Sequence, residues 1–258
     1  MIDARAIVSP QAELAADVTV GPFTIIGPHV TIGPGTVIGP HAVINGPTSI
    51  GQGNHIFQFA SIGDAPQDKK YRGEPTRLEI GDRNVFRESC TINRGTMHDT
   101  GITRIGNDNL FMAYSHVAHD CQVGNHTVFA NCASLAGHVE IGDWVTLGGL
   151  TAVHQHTKVG AHAFAGGGAI ILRDVPPYVM VAGNPAEPHA VNSVGLKRRG
   201  FSEEQVRNIR EAYRVLYRSD LRLTEALERL RALAPEQPEV GLFVDFIERS
   251  TSGRSIVR

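Results

Sequence analysis

The chain reads as a mainly β protein: a parallel β-helix of six-residue repeats with a small α-helical domain behind it. Three observations predict this. From Val8 onward every sixth residue is aliphatic: Val8, Leu14, Val20, Ile26, Ile32, Ile38, Ile44, Ile50, Ile56 and Ile62. The period reappears at Ile80, Phe86 and Ile92, then returns at Ile105 shifted by one position and runs through Phe111, Val117, Val123, Phe129, Leu135, Ile141, Leu147, Val153, Val159, Ala165 and Ile171. Glycine often follows the aliphatic (Gly21, Gly33, Gly142), and a small or β-branched residue usually sits four positions after it (Thr24, Val30, Ala42, Ala133, Ala163). Such a repeat has the wrong period for an α-helix and is the signature of stacked β coils.

Each hexad supplies two inward positions, one aliphatic and one small, which suits a short strand followed by a tight corner. Three hexads close a triangular coil of eighteen residues. Residues eighteen apart then stack at the inter-strand spacing of about 4.8 Å. The two lapses read as insertions at 64–79 and 94–104. Continuing the register would put Asp68 and Glu74, and later His98 and Arg104, inside the prism, where charges would be buried without partners. These segments are therefore expected to loop outward, where binding groups tend to sit.

After Val175-Pro176-Pro177 the period ends. Ser202 with Gln205 three residues on reads as a capping box opening a helix to about Arg218, with Val206, Ile209, Tyr213 and Leu216 as its apolar stripe. Two more helices are expected near 224–234 and 239–250, parted by Ala234-Pro235. The predicted organisation is a β-helix over 1–186 and a helical domain over 187–258.

The formal charge of −2 over 258 residues conceals an asymmetry: residues 1–196 hold 11 of the 24 basic and 16 of the 26 acidic side chains, leaving 13 and 10 for the tail. An anionic partner is thus expected at the tail, where Arg207, Arg210, Arg214 and Arg218 share a helix face. Three scattered cysteines, no apolar leader and no membrane-length run point to a cytoplasmic protein without an integral membrane segment. Nothing in the composition calls for a nucleic-acid partner.

Histidine is the outlier, with twelve residues, several clustered at His116, His119, His138, His154 and His156. Eighteen-residue stacking puts His119, Gly137 and Gln155 in one column and Asp120, His138 and His156 in the next, both on outward-facing corners. A histidine beside a carboxylate is a standard general base near neutral pH. A glycine above it offers an unobstructed N–H to a developing oxyanion. A zinc site built from exposed histidines is the competing reading, although His116-x-x-His119 has no further ligands on its coil.

The stretch His116-Val-Ala-His119-Asp120-Cys121, with Leu135-Ala-Gly-His138, Thr151-Ala-Val-His154-Gln155, Gln67-Asp68, Lys70-Tyr71, Ile92-Asn-Arg-Gly-Thr96 and Gly195-Leu-Lys-Arg-Arg-Gly200, resembles the acyl-carrier-protein–UDP-N-acetylglucosamine O-acyltransferases of lipid A biosynthesis along essentially the whole chain. The resemblance implies a left-handed coil, a homotrimer with active sites between neighbouring prisms, and transfer of an (R)-3-hydroxyacyl group from acyl carrier protein to the 3-hydroxyl of UDP-N-acetylglucosamine, with no cofactor or metal. It implies His119 as base, Asp120 as its orienting carboxylate and the Gly137 amide as oxyanion donor. It further implies that His116, His138, His154 and Gln155 line the cleft, and that Gln67, Asp68 and Lys70 meet the sugar nucleotide. Asn192, Arg198 and Arg199 would bind its diphosphate end, and Phe164 and Gly167 would set acyl length. Asn93 stands where many members carry histidine, Pro185 where some do, and Val194 where an acidic residue is common. The rivals are an N-acyltransferase of the same fold, which carries an extra N-terminal domain whereas these hexads begin at residue 8, and a zinc-dependent hydratase of the hexapeptide class.

Overall fold

The computed structural model describes residues 1–97, 99–251 and 255–258. His98, expected within the second outward loop, lies outside the described residues. Among the described residues, short strands form three sheets of nine, eight and ten strands, all parallel except the last strand of the third sheet, and successive strands of the repeat belong to different sheets, so the chain turns a corner after each hexad. The sheets are the three faces of a prism. Ile7 pairs with Ile25 and Val8 with Ile26; Val128 pairs with Thr146 and Phe129 with Leu147. The register is the predicted eighteen residues.

The aliphatic column points inward and is buried from Val20 to Ile171. Val8 and Leu14, in the lowest coil, are only partly covered. Phe86, Phe111 and Phe129 stack at centroid separations of 4.9 and 4.6 Å along the axis. The small column contains a polar ladder. Asn84 donates from its backbone N and Nδ2 to Asn54 Oδ1 at 2.9 and 3.0 Å, Asn109 N donates to Asn84 Oδ1 at 3.0 Å, and Thr127 N and Oγ1 each donate to Asn109 Oδ1 at 2.7 Å. Each asparagine also donates Nδ2 to a glycine carbonyl, of Gly81, Gly106 and Gly124 in turn. These amides are buried at little cost because both their ends are satisfied.

Both insertions leave from the corner between the first and second faces. Ile62 pairs with Ile92 and Ile80 with Ile105, separations of 30 and 25 residues in place of 18. The outward loops are shorter than expected, 65–76 and 94–101, because Arg77–Ile80 and Ile102–Ile105 are paired strands. Leu78 is fully buried and pairs with Thr48 below it and Thr103 above it, resuming the inward small column before Ile80.

Past Pro177, the strand Val179–Ala182 continues the third face, and Glu187–Val191 folds back antiparallel upon it. The sheet therefore runs beyond the expected junction at 186–187. A short helix absent from the sequence reading follows, α1 (Ser193–Arg198). Then α2 (Glu203–Tyr217) opens with the predicted Ser202–Gln205 capping box and buries Val206, Ile209, Tyr213 and Leu216. Next come α3 (Leu223–Leu233) and α4 (Pro238–Thr251). The helices close the upper end of the prism: Tyr178 packs on Phe243 at 5.5 Å, and Val257 N donates to Asp174 O at 2.8 Å.

Phe111 is the middle member of the phenylalanine stack. Its replacement by alanine should destabilise the fold by about 3–5 kcal/mol, read as a lower midpoint in denaturant, with the loss felt in the coils on either side.

Candidate active site

The histidine group occupies the corner between the first and second faces, one coil above the loop 94–101. Val117 takes the inward place on the strand His116–Val117, so His116 lies on the outer side of the first face. Asp120, His138 and His156 repeat one left-handed corner, with φ of 60°, 62° and 61°. The rings of His138 and His156 stack at 4.3 Å, and His119 meets His138 edge-on at 5.0 Å. The stacking arithmetic placed these residues correctly.

It misjudged the exposure of Asp120. The carboxylate points off the prism, but the side chain is fully buried, because the loop 94–101 folds over it. Thr96 donates its backbone N to Asp120 Oδ1 at 2.9 Å and its hydroxyl to Oδ2 at 2.6 Å. His119 Nδ1 lies 2.9 Å from Oδ2. Burial pushes the Asp120 carboxyl upward, but the hydrogen bonds from His119 and Thr96 together outweigh it and hold the group below the usual carboxylate range. An ionised carboxylate only accepts, so Nδ1 of His119 carries its hydrogen and Nε2 presents a lone pair. Thr96 is the functional residue that reasoning from the repeat missed. It sits in the Ile92–Thr96 motif, but nothing periodic announces where an insertion returns.

Gly137 lies against the His119 ring. A Cβ there would come within 2.5 Å of His119 Cε1 and 2.7 Å of Nε2, so only glycine admits the ring in this place. Among the described residues, no backbone acceptor takes the Gly137 N–H. His116 Nδ1 lies 2.7 Å from Thr91 Oγ1, and burial pushes its pKa down, which keeps the imidazole neutral at neutral pH. His154 donates from Nδ1 to Gln155 O at 3.1 Å, and both are exposed two coils above His119.

Other expected residues fall elsewhere in the single chain. Gln67 and Lys70 are exposed on the loop 65–76, where Lys70 N donates to Asp68 Oδ1 at 2.9 Å. Asn93 anchors the base of that loop, donating Nδ2 to Ala65 O at 3.0 Å, and Arg94 reinforces it through Gly63 O at 2.7 Å. Phe164 is on the third face, and Gly167 is at the corner between the third and first faces. Asn192 is buried as the N-cap of α1: Oδ1 accepts from Gly195 N at 3.2 Å and Nδ2 donates to His162 O at 3.0 Å. Arg199 lies over the Trp144 ring at 5.2 Å, with Nη1 3.1 Å from His162 Nδ1. Burial, assisted by the Arg199 charge, pushes His162 down to about 4, so it is a neutral acceptor. Of the arginine pair, Arg198 is the exposed one.

Ligand atoms of His119, Asp120 and His138 lie within 4.8 Å of one another, close enough to hold a metal ion. The donor set argues against one. Asp120 Oδ2 already accepts from Thr96 and His119, and a metal on Nδ1 would have to replace the proton that binds His119 to it. A groove of about 1030 Å³ lies on the second face beneath α4, lined by Arg104, Gln122, Lys158, Leu242 and Phe246 among others. None of its lining residues belongs to the histidine group.

Similarity to known proteins identifies the family of the chain. Residues 11–46 and 102–137 match the bacterial transferase hexapeptide family (six repeats), and residues 174–257 match domain 2 of the UDP-N-acetylglucosamine O-acyltransferase family. The acyl-[acyl-carrier-protein]–UDP-N-acetylglucosamine O-acyltransferases of Thiobacillus denitrificans and Alkalilimnicola ehrlichii are 55% and 56% identical to the chain over 252 residues, covering 98% of each sequence. LpxA from Acinetobacter baumannii superimposes with a TM-score of 0.97 at 47% identity, covering 100% of this chain and 99% of its own. The Francisella novicida UDP-N-acetylglucosamine acyltransferase gives 0.98 at 42%, covering 100% and 94%. The prism is the left-handed β-helix of these proteins, and the chain belongs to the acyl-[acyl-carrier-protein]–UDP-N-acetylglucosamine O-acyltransferase family.

Proposed function

We propose that this chain is a cytoplasmic homotrimeric enzyme that moves an (R)-3-hydroxyacyl group from acyl carrier protein to the 3-hydroxyl of UDP-N-acetylglucosamine, opening lipid A biosynthesis. The observation that carries the mechanism is the Asp120–His119–Gly137 arrangement, with Nδ1 held by an ionised carboxylate and Nε2 free beside a glycine amide. His119 Nε2 removes the proton of the sugar hydroxyl as the oxygen attacks the thioester carbonyl. The Gly137 N–H receives the oxyanion, and Asp120 stabilises the imidazolium. Collapse expels the thiolate, which takes the proton back from His119. The products are the ester and the free carrier thiol, without a covalent enzyme intermediate.

The two kinds of prism face support the trimer. The outer residues of the second face include Glu79, Arg104, Glu140 and Lys158, joined by ion pairs such as Arg104–Glu79 at 2.8 Å. The outer sides of the first and third faces carry Ile7, Ile25 and Val37, and the corner between those faces carries Phe23, Phe59, Tyr114 and Leu150, all exposed. An apolar edge of this kind is suited to packing against copies of itself. His116 lies on the first face, so a neighbouring third face would close the cleft and bring Phe164 towards it. In the tail, Arg210, Arg214 and Arg218 share one concave patch with His189. This supports docking of the acidic carrier protein there; Arg207 stands outside the patch beside Glu204. Among the described residues no helix is long and apolar enough to cross a membrane.

His119→Ala should lower turnover by about 10²–10⁴-fold, and Gly137→Ala, which must push the ring aside, by about 10²–10³-fold. Product formation from UDP-N-acetylglucosamine and hydroxyacyl carrier protein, read by mass spectrometry alongside circular dichroism, checks both. Near-normal turnover in folded His119→Ala would remove it as the base.

The metal-binding reading is tested separately: activity should survive exhaustive dialysis against EDTA, and the purified protein should contain no stoichiometric zinc by elemental analysis. Inactivation by chelation with recovery on adding zinc would favour the hydratase class.

Introducing charge at the apolar edge, as Tyr114→Glu with Leu150→Glu, should reduce the mass in light scattering from three chains to one and abolish activity with it. An intact trimer would move the contact to another face.

A further inference from the structure

The loop 94–101 brings a second carboxylate to the corner that the transfer step leaves without a task. Asp99 Oδ2 lies 2.8 Å from His138 Nδ1. The same nitrogen is 3.9 Å from Asp120 Oδ2, beyond hydrogen-bond range, so Asp99 is its acceptor. His138 is largely covered, with its side chain 17% exposed. His156 stacks on one face of its ring and His119 stands at its edge. Packing thus limits how the ring is oriented, and the remaining freedom is which nitrogen holds the proton. A neutral imidazole has two tautomers, and a carboxylate at one nitrogen draws the hydrogen there.

We propose that Asp99 is a positioning residue that holds His138 as its Nδ1–H tautomer, presenting Nε2 as the acceptor for a hydroxyl of the bound sugar. This rests on the proposed function, with His138 among the residues that the resemblance places along the substrate cleft. Thr96 and Asp99, three residues apart on one loop, then organise neighbouring histidines for different tasks. Through Asp120, Thr96 sets the nitrogen of His119 that removes a proton. Asp99 sets the nitrogen of His138 that recognises a hydroxyl. Because the Asp99 side chain is 44% exposed, its effect belongs to binding and orientation, not to holding the fold.

The test combines imidazole ¹⁵N spectra of the full-length, histidine-labelled protein, with His138 assigned through His138→Gln, and steady-state kinetics. In the wild type, His138 should show a protonated Nδ1 and an unprotonated Nε2. Asp99→Ala should mix the tautomers and raise the KM for UDP-N-acetylglucosamine roughly tenfold, with kcat within about threefold of wild type. Asp99→Asn should keep both tautomer and affinity close to wild type, because its amide oxygen still accepts from Nδ1–H. Unchanged spectra in Asp99→Ala overturn the proposal, and so does an unchanged KM. A fall in kcat with KM unaltered also overturns it, since that marks damage passed through Thr96 to the base. Failure of the wild-type chain to acylate UDP-N-acetylglucosamine overturns the functional reading and the sugar half of this proposal, while the spectra alone decide the Asp99–tautomer half.

Discussion

The hydrogen-bonded ladder between coils is the constraint on which everything else in this molecule depends. Each strand is mostly two residues long and has no stability of its own. Its backbone groups are satisfied only by the equivalent strands one coil above and below, in a register that repeats the same side of every hexad. That register converts a linear pattern into vertical columns: aliphatics along the axis, phenylalanines stacked on one another, asparagines handing a hydrogen bond from coil to coil. The site is one more column. Asp120, His138 and His156 come together because they are eighteen residues apart, and for no local reason.

What turns a repetitive column into a candidate catalytic centre is the place where repetition fails. Both insertions leave the prism at the corner between the first and second faces, one coil apart. The lower loop is fastened at its base by Asn93 and Arg94. The upper loop lays Thr96 over Asp120 and shuts water away from one side of the dyad. A regular coil could place a histidine beside an aspartate, but it would leave the carboxylate solvated and free to rotate. The loop supplies two further donors and thereby a single orientation.

The repeat made the fold legible, because a six-residue period over more than twenty hexads constrains every inward residue at once. The columns containing His119 and Asp120 followed from the same arithmetic. The rest was hidden for separable physical reasons. Asn54, Asn84 and Asn109 occupy the small inward position but break its apolar rule, and only the stacked structure shows that each satisfies the next. The strand Glu187–Val191 runs antiparallel, so it carries none of the parallel period, and α1 is too short to show a helical one. Thr96 and Asp99 lie in an insertion whose conformation no period describes. Arg199 lies in the Gly195–Gly200 motif and Asn192 just before it, but no period shows that Asn192 caps a helix and Arg199 packs on Trp144.

The unequal ends of the prism give the molecule a mechanical polarity. At the top, the antiparallel return strand and the helices cover the last coil, and the chain's final residues are tied to it through Asp174. At the bottom, Val8 and Leu14 of the first described coil are only partly covered. Ile2 is joined to the coil above by an isolated bridge to Val20. In a stack where each layer is stabilised by the layers it touches, opening begins at the bottom and travels upward one coil at a time. Several coils separate that end from His119, so an opening that starts there leaves the histidine corner ordered.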